Sequence, residues 1–107
     1  MDIQRVRELN DALRKTLQGG KVVMAQSVAA LPPHHVAQAL QTMQMFNAFT
    51  ADNDPHGEHD CAIFTVGDQR FMFKIDYYDR NMELGSENPT DADQTVRVLT
   101  LMLASDY

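Results

Sequence analysis

Residues 52–60 read DNDPHGEHD: four carboxylates and two imidazoles in nine positions, with one proline and one glycine among them. Side chains of these types can hold a cation or move protons. They can equally tie a polar turn together, because Asp accepts backbone N–H bonds in Asx-turns while Pro and Gly set the turn.

The calcium loop D-x-[DN]-x-[DN]-G-x₅-E is the first template to test, since Asp52, Asp54 and Gly57 fall on its first, third and sixth places. It then fails. His56 stands where an oxygen ligand belongs, and the twelfth place, which needs a bidentate Glu, is Ile63. A divalent transition metal suits the residues better: His56 and His59 are three apart, Asp60 supplies a carboxylate, and Asp54, Glu58, Asp76 or Asp79 can add others. With an open coordination position such a metal activates water, and Glu58 then serves as general base.

A second group is KIDYYDR, residues 74–80. Lys74, Asp76 and Tyr78 alternate onto one face of a strand, and Asp79 lies at its end. The functional reading brings Asp76 and Tyr78 into a pocket with His56 or His59, so that Glu58, His59 and Asp76 are the catalytic candidates. Asp54, His56, Asp60, Tyr78 and Asp79 complete the binding set. The plainer reading makes Lys74 and Asp76 an ion pair and leaves residues 52–60 as a turn. His34 and His35 fall in the first turn of a helix, and Cys61 begins a strand as a small apolar residue. The chain has no phosphate loop, nucleophile elbow or C-x-x-C motif.

Several elements must position these groups. Val6, Leu9, Leu13 and Leu17 recur at helical spacing, with Arg5, Arg7, Glu8, Asp11, Arg14 and Lys15 on the other sides. This predicts a helix over residues 2–18, ended by Gly19-Gly20. KVVMA (21–25) reads as a strand. After Pro32-Pro33, the residues Val36, Ala39, Leu40, Met43 and Phe46 predict a second helix to about Phe49. CAIFTV (61–66) and RFMFKIDYY (70–78) flank Gly67-Asp68-Gln69 and predict an antiparallel hairpin, with Phe71, Phe73, Ile75 and Tyr77 on its packed face. Residues 96–104, VRVLTLMLA, suit a strand, with a helix capped by Thr90 and Asp93 as the alternative. The expected fold is a single α+β domain over residues 1–107, two helices on an antiparallel sheet of three to four strands.

With 107 residues, 44% of them hydrophobic, the chain is long enough for one core, and no apolar run is long enough to span a bilayer. The start MDIQRVRELND lacks a signal-peptide pattern and the single Cys61 cannot form an internal disulfide, so a cytoplasmic setting is expected. Net charge is −6 and unevenly placed: residues 1–51 carry +2 and residues 52–93 carry −8. Such a field repels nucleic-acid phosphates and attracts a basic protein surface or a cation. Two functions follow as expectations: a binding module acting through the acidic second half, and a metal-dependent hydrolase or metal-binding protein using residues 52–60.

The blocks LNDALRKTLQGGKVV (9–23), NDPHGEHD (53–60), FKIDYYDR (73–80) and VLTLMLASDY (98–107) resemble a small bacterial family known as domain of unknown function 3768. The resemblance spans nearly the whole chain and implies no particular activity. It implies an accessory protein of plasmids, phages or other mobile elements, acting on a partner such as a host defence complex, or else a small enzyme whose site is the charged loop.

Overall fold

The computed structural model describes residues 2–107. Helix α1 (Ile3–Thr16) begins where the Asp2 carboxylate accepts the Arg5 N–H at 3.1 Å, and it is followed by strand β1 (Lys21–Met24). Leu17 ends α1 by taking the left-handed conformation itself, with its N–H on Leu13 O at 2.8 Å, two residues before the glycine pair expected to do so. A one-turn helix α2 (Gln26–Ala29), which the sequence reading did not contain, leads to α3 (Pro33–Met45). Helix α3 opens on a proline in its first turn, a position whose missing N–H costs no helical bond. It stops short of Phe49 because Phe46 is already extended.

Strands β2 (Cys61–Val66) and β3 (Gln69–Tyr78) form the expected hairpin, closed by Gly67 at φ +60°. Residues 96–103 are strand β4 (Val96–Leu103), not the helical alternative, and a short 3₁₀ turn (Ala104–Asp106) follows. The sheet order is β1-β4-β3-β2. The β4-β3-β2 part is antiparallel as expected, whereas β1 joins β4 in parallel, so the four-stranded sheet is mixed. The fold class is α+β.

One sheet face carries the core. Phe71, Phe73 and Ile75 of β3, Leu99 and Leu101 of β4, and Ala62 and Phe64 of β2 are buried with Leu13 of α1, Val28 of α2 and Ala39 and Met43 of α3. Period-two alternation puts Cys61, Ile63, Met72, Lys74, Asp76, Tyr78, Val98 and Thr100 on the opposite face. No helix among the described residues is long and apolar enough to cross a membrane.

Helix α1 departs from the simple amphipathic picture. Asn10 and Arg14 are as buried as Val6 and Leu13, and Arg7 and Asp11 are half-buried, although the spacing of the leucines had placed the charged ones outward. These four polar residues, at intervals of three and one, line a seam facing residues 54–59.

Candidate functional site

The segment from Phe46 to Asp60 folds by local bonds first. Thr50 and Asn53 cap each other: the Thr50 N–H donates to Asn53 Oδ1 at 2.7 Å and the Asn53 N–H to Thr50 Oγ1 at 3.3 Å. The Asn53 amide also reaches Ala48 O at 2.9 Å. A turn closes from the Gly57 N–H to Asp54 O at 3.1 Å, with Gly57 at φ +70°. The Asp54 carboxylate, buried, then accepts the His59 N–H through both oxygens, at 3.2 and 3.3 Å.

Helix α1 grips this loop. Arg7 Nε donates to Gly57 O at 2.7 Å, and the Asn10 amide donates to Glu58 O at 3.0 Å and to Tyr77 Oη at 2.8 Å. The Tyr77 hydroxyl in turn donates to Glu58 Oε1 at 2.9 Å. Burial, reinforced by the neighbouring Glu58, raises the Tyr77 hydroxyl far above its ordinary value, so it stays protonated and acts as a donor. Arg97 of β4, fully buried, completes the network: its Nε donates to Asn10 Oδ1 at 2.9 Å, its Nη2 donates to Pro89 O, and its guanidinium lies over the Tyr77 ring.

At the next residue of α1, Asp11 Oδ1 accepts from Arg14 Nη1 at 2.8 Å and meets His59 Nδ1 at 2.9 Å. Burial alone would raise the Asp11 carboxyl; hydrogen bonds and positive charge from Arg14 and His59 outweigh it and hold the group below the usual carboxylate value. Asp11 is therefore an acceptor and His59 Nδ1 carries the proton. His59 itself sits at φ +55°, a conformation that costs a side-chain-bearing residue energy and persists where surroundings dictate it. Its ring stacks flat on Phe49, centroids 3.9 Å apart, and its Nε2 faces Asp54 Oδ2 at 3.6 Å. Arg14 donates to Phe46 O at 3.1 Å and places its guanidinium over Phe49 and Phe73.

An imidazole oriented by a carboxylate is the arrangement of a general base. Here the ring's other nitrogen faces a second carboxylate, that of Asp54, instead of a cleft. Hollows of about 400, 370 and 270 Å³ lie elsewhere: between His35 and Phe71, beside Ala104, and between Asp79 and Asn88.

The sequence candidates separate. Glu58, His59 and Asp54 meet at the α1 seam, while His56 is exposed at the turn. Among the described residues no three His, Cys, Asp or Glu side chains converge so as to hold a metal ion, so His56, His59 and Asp60 are not brought together as a ligand set. Asp60 gives its carbonyl to the Ile75 N–H at 2.7 Å, and burial followed by repulsion from Glu58 raises its carboxyl. Asp76 and Tyr78 are not in this group, because their parity puts them on the opposite sheet face. There Asp76 pairs with Lys74 Nζ at 2.9 Å, while the backbone of Tyr78 forms a β-bridge with Gly85 at the sheet edge. Asp79 accepts the Glu83 N–H at 3.1 Å in a turn. Cys61 is a free, half-buried thiol whose value is raised by burial and by Asp60.

Sequence reasoning passed over Asn10, Asp11, Arg14, Tyr77 and Arg97, which build the network. The available signals were the stripe Arg7, Asn10, Asp11, Arg14 on one side of α1, and the parity of Tyr77 with Phe71 and of Arg97 with Leu99.

Residues 24–106 match the model of a family described as "Protein of unknown function (DUF3768)", and the chain belongs to that family. No curated protein and no solved structure matches it.

Proposed function

We propose that the protein is a non-enzymatic binding module of the cytoplasm whose acidic second half docks on a basic protein surface. The observation that carries this is loop 79–94. It holds five carboxylates against one arginine, and it exposes Leu84 (71%) and Met82 (38%) between them. Apolar anchors among predominantly acidic side chains fit a basic surface with an apolar socket: the charges steer and orient, and the anchors supply buried area. Such a role accords with a mobile-element accessory protein that modulates or inhibits a partner, a host defence complex included. The catalytic alternative at residues 52–60 draws less support, since Asp54, Glu58 and His59 are engaged in holding the loop to α1.

The test is capture of a partner by the tagged protein and by three variants. Glu83, Glu87, Asp91 and Asp93 all changed to Lys, or Leu84→Ser alone, should lose the captured protein, and rising salt should weaken its hold on the parent. His56→Ala should retain it. Retention by both loop variants would contradict the proposal.

A further inference from the structure

The sheet has two edges, and they differ. Strand β1 is four residues long and begins with Lys21, a charge of the kind that blunts an edge. Strand β2 is six residues, CAIFTV, with no charge, proline or glycine, and Ile63 is 47% exposed on it. Natural sheets protect such edges, because an uncharged, β-branched strand with unpaired backbone groups is a template for another strand.

The ladder tells which groups are free. The Ile75 N–H donates to Asp60 O, and Asp60 lies opposite Ile75 in the register that pairs Cys61 with Lys74. Antiparallel pairs alternate between bonded and non-bonded, so Ala62, Phe64 and Val66 turn their backbone groups toward β3. Cys61, Ile63 and Thr65 therefore turn theirs outward. Among the described residues no backbone bond from outside the sheet reaches them.

We propose that this edge pairs with the same edge of a second copy, antiparallel about a two-fold axis at Ile63, to form a continuous eight-stranded sheet. A two-fold perpendicular to the sheet keeps the helices of both copies on one side. It sets Ile63 opposite Ile63, and Cys61 opposite Thr65 of the second copy in both directions. All three outward-facing residues thus fall in hydrogen-bonded pairs, and the alternate residues match as well: Ala62 meets Phe64, small against large, on the core face. The exposed Ile63 side chains meet at the axis on the open face. No like charges oppose one another in the strand, and the acidic loops, which follow the Tyr78 end of β3, fall at opposite corners of the dimer.

Sedimentation of the full chain from micromolar to submillimolar concentration tests the pairing. The parent should be a dimer whose association strengthens with salt, because each copy carries −6. Ile63→Lys, which sets two ammonium groups face to face, should be a folded monomer over the same range by circular dichroism and mass. Should that variant not fold, Ile63→Cys with Cys61→Ser decides. Bonded antiparallel residues lie on one face with Cα atoms about 5.5 Å apart, within reach of a short bis-maleimide, which should link two chains. A parent that is monomeric throughout, a dimer indifferent to Ile63→Lys, or failure of the cysteine variant to cross-link would overturn the proposal; the first would leave the edge to a strand from another protein.

Discussion

His59 Nδ1 meets Asp11 Oδ1 at 2.9 Å across 48 residues of chain, and the same oxygen accepts from the buried Arg14. This single carboxylate joins helix α1 to the loop between α3 and β2. The charged loop is thereby a strut of the fold.

Tyr77→Phe leaves the ring in place and removes the hydroxyl that links Asn10 to Glu58. Losing one member of a part-buried network costs about 1–3 kcal/mol. Tyr78→Phe, on the other sheet face, should change stability by less than about 0.5 kcal/mol. Urea unfolding of the two variants checks the contrast, and equal effects would show that the parity assignment is wrong.

Asp11 and Asp60 should have opposite pH signatures. The Asp11 value is lowered on folding, so its charge stabilises the fold above the unfolded carboxylate value, and that contribution is lost as pH falls through the folded one. The loss caused by Asp11→Asn should therefore be large at neutral pH and shrink in acid. The Asp60 value is raised, so its charge opposes folding at neutral pH, and the penalty fades as pH falls through the raised value to below the usual one. Asp60→Asn should accordingly stabilise at neutral pH and lose the gain in acid. Thermal melts of both variants across this pH range give the comparison.

Much of the fold was readable because burial leaves a period. Phe71, Phe73 and Ile75 mark one face of β3 without ambiguity, and Val36, Ala39 and Met43 mark α3. The parallel placement of β1 left no such trace, since pairing direction depends on where the chain returns and not on residues 21–24. The site was harder for a related reason. Tyr77 belongs to the legible face, but its partner Glu58 arrives from a loop whose path is fixed by Thr50, Asn53 and Gly57 together with α1. Arg14 reads as a surface cation in any helical projection. Its burial depends on Asp11, Phe46 O and the rings of Phe49 and Phe73, which only the tertiary fold brings together.

Gly20 is required by close approach. A Cβ there would lie 2.5 Å from Arg97 O and 3.1 Å from the Leu13 side chain, and the carbonyl belongs to a core strand that cannot yield cheaply. Gly20→Ala should cost about 1–3 kcal/mol, the range for overpacking a core. Chemical denaturation measures it, and a neutral result would mean that β1 and β4 slide freely.

Arg97→Met keeps a similar apolar volume and removes the donors that hold Asn10 Oδ1 and Pro89 O. Hydrogen exchange over residues 86–95 should quicken, because the Arg97 side chain is a tether for that loop, while exchange in the β2-β3 hairpin should hold. Uniform quickening would instead indicate general loss of stability.

The most direct measurement is a double-mutant cycle on Asp11→Ala and His59→Ala, read by urea unfolding. If the loop is a strut, each single change destabilises by about 1–3 kcal/mol, and the double falls short of their sum by about 0.5–3 kcal/mol. Single variants of unchanged stability would contradict the strut, release His59 for chemistry, and return enzymatic assays to the front.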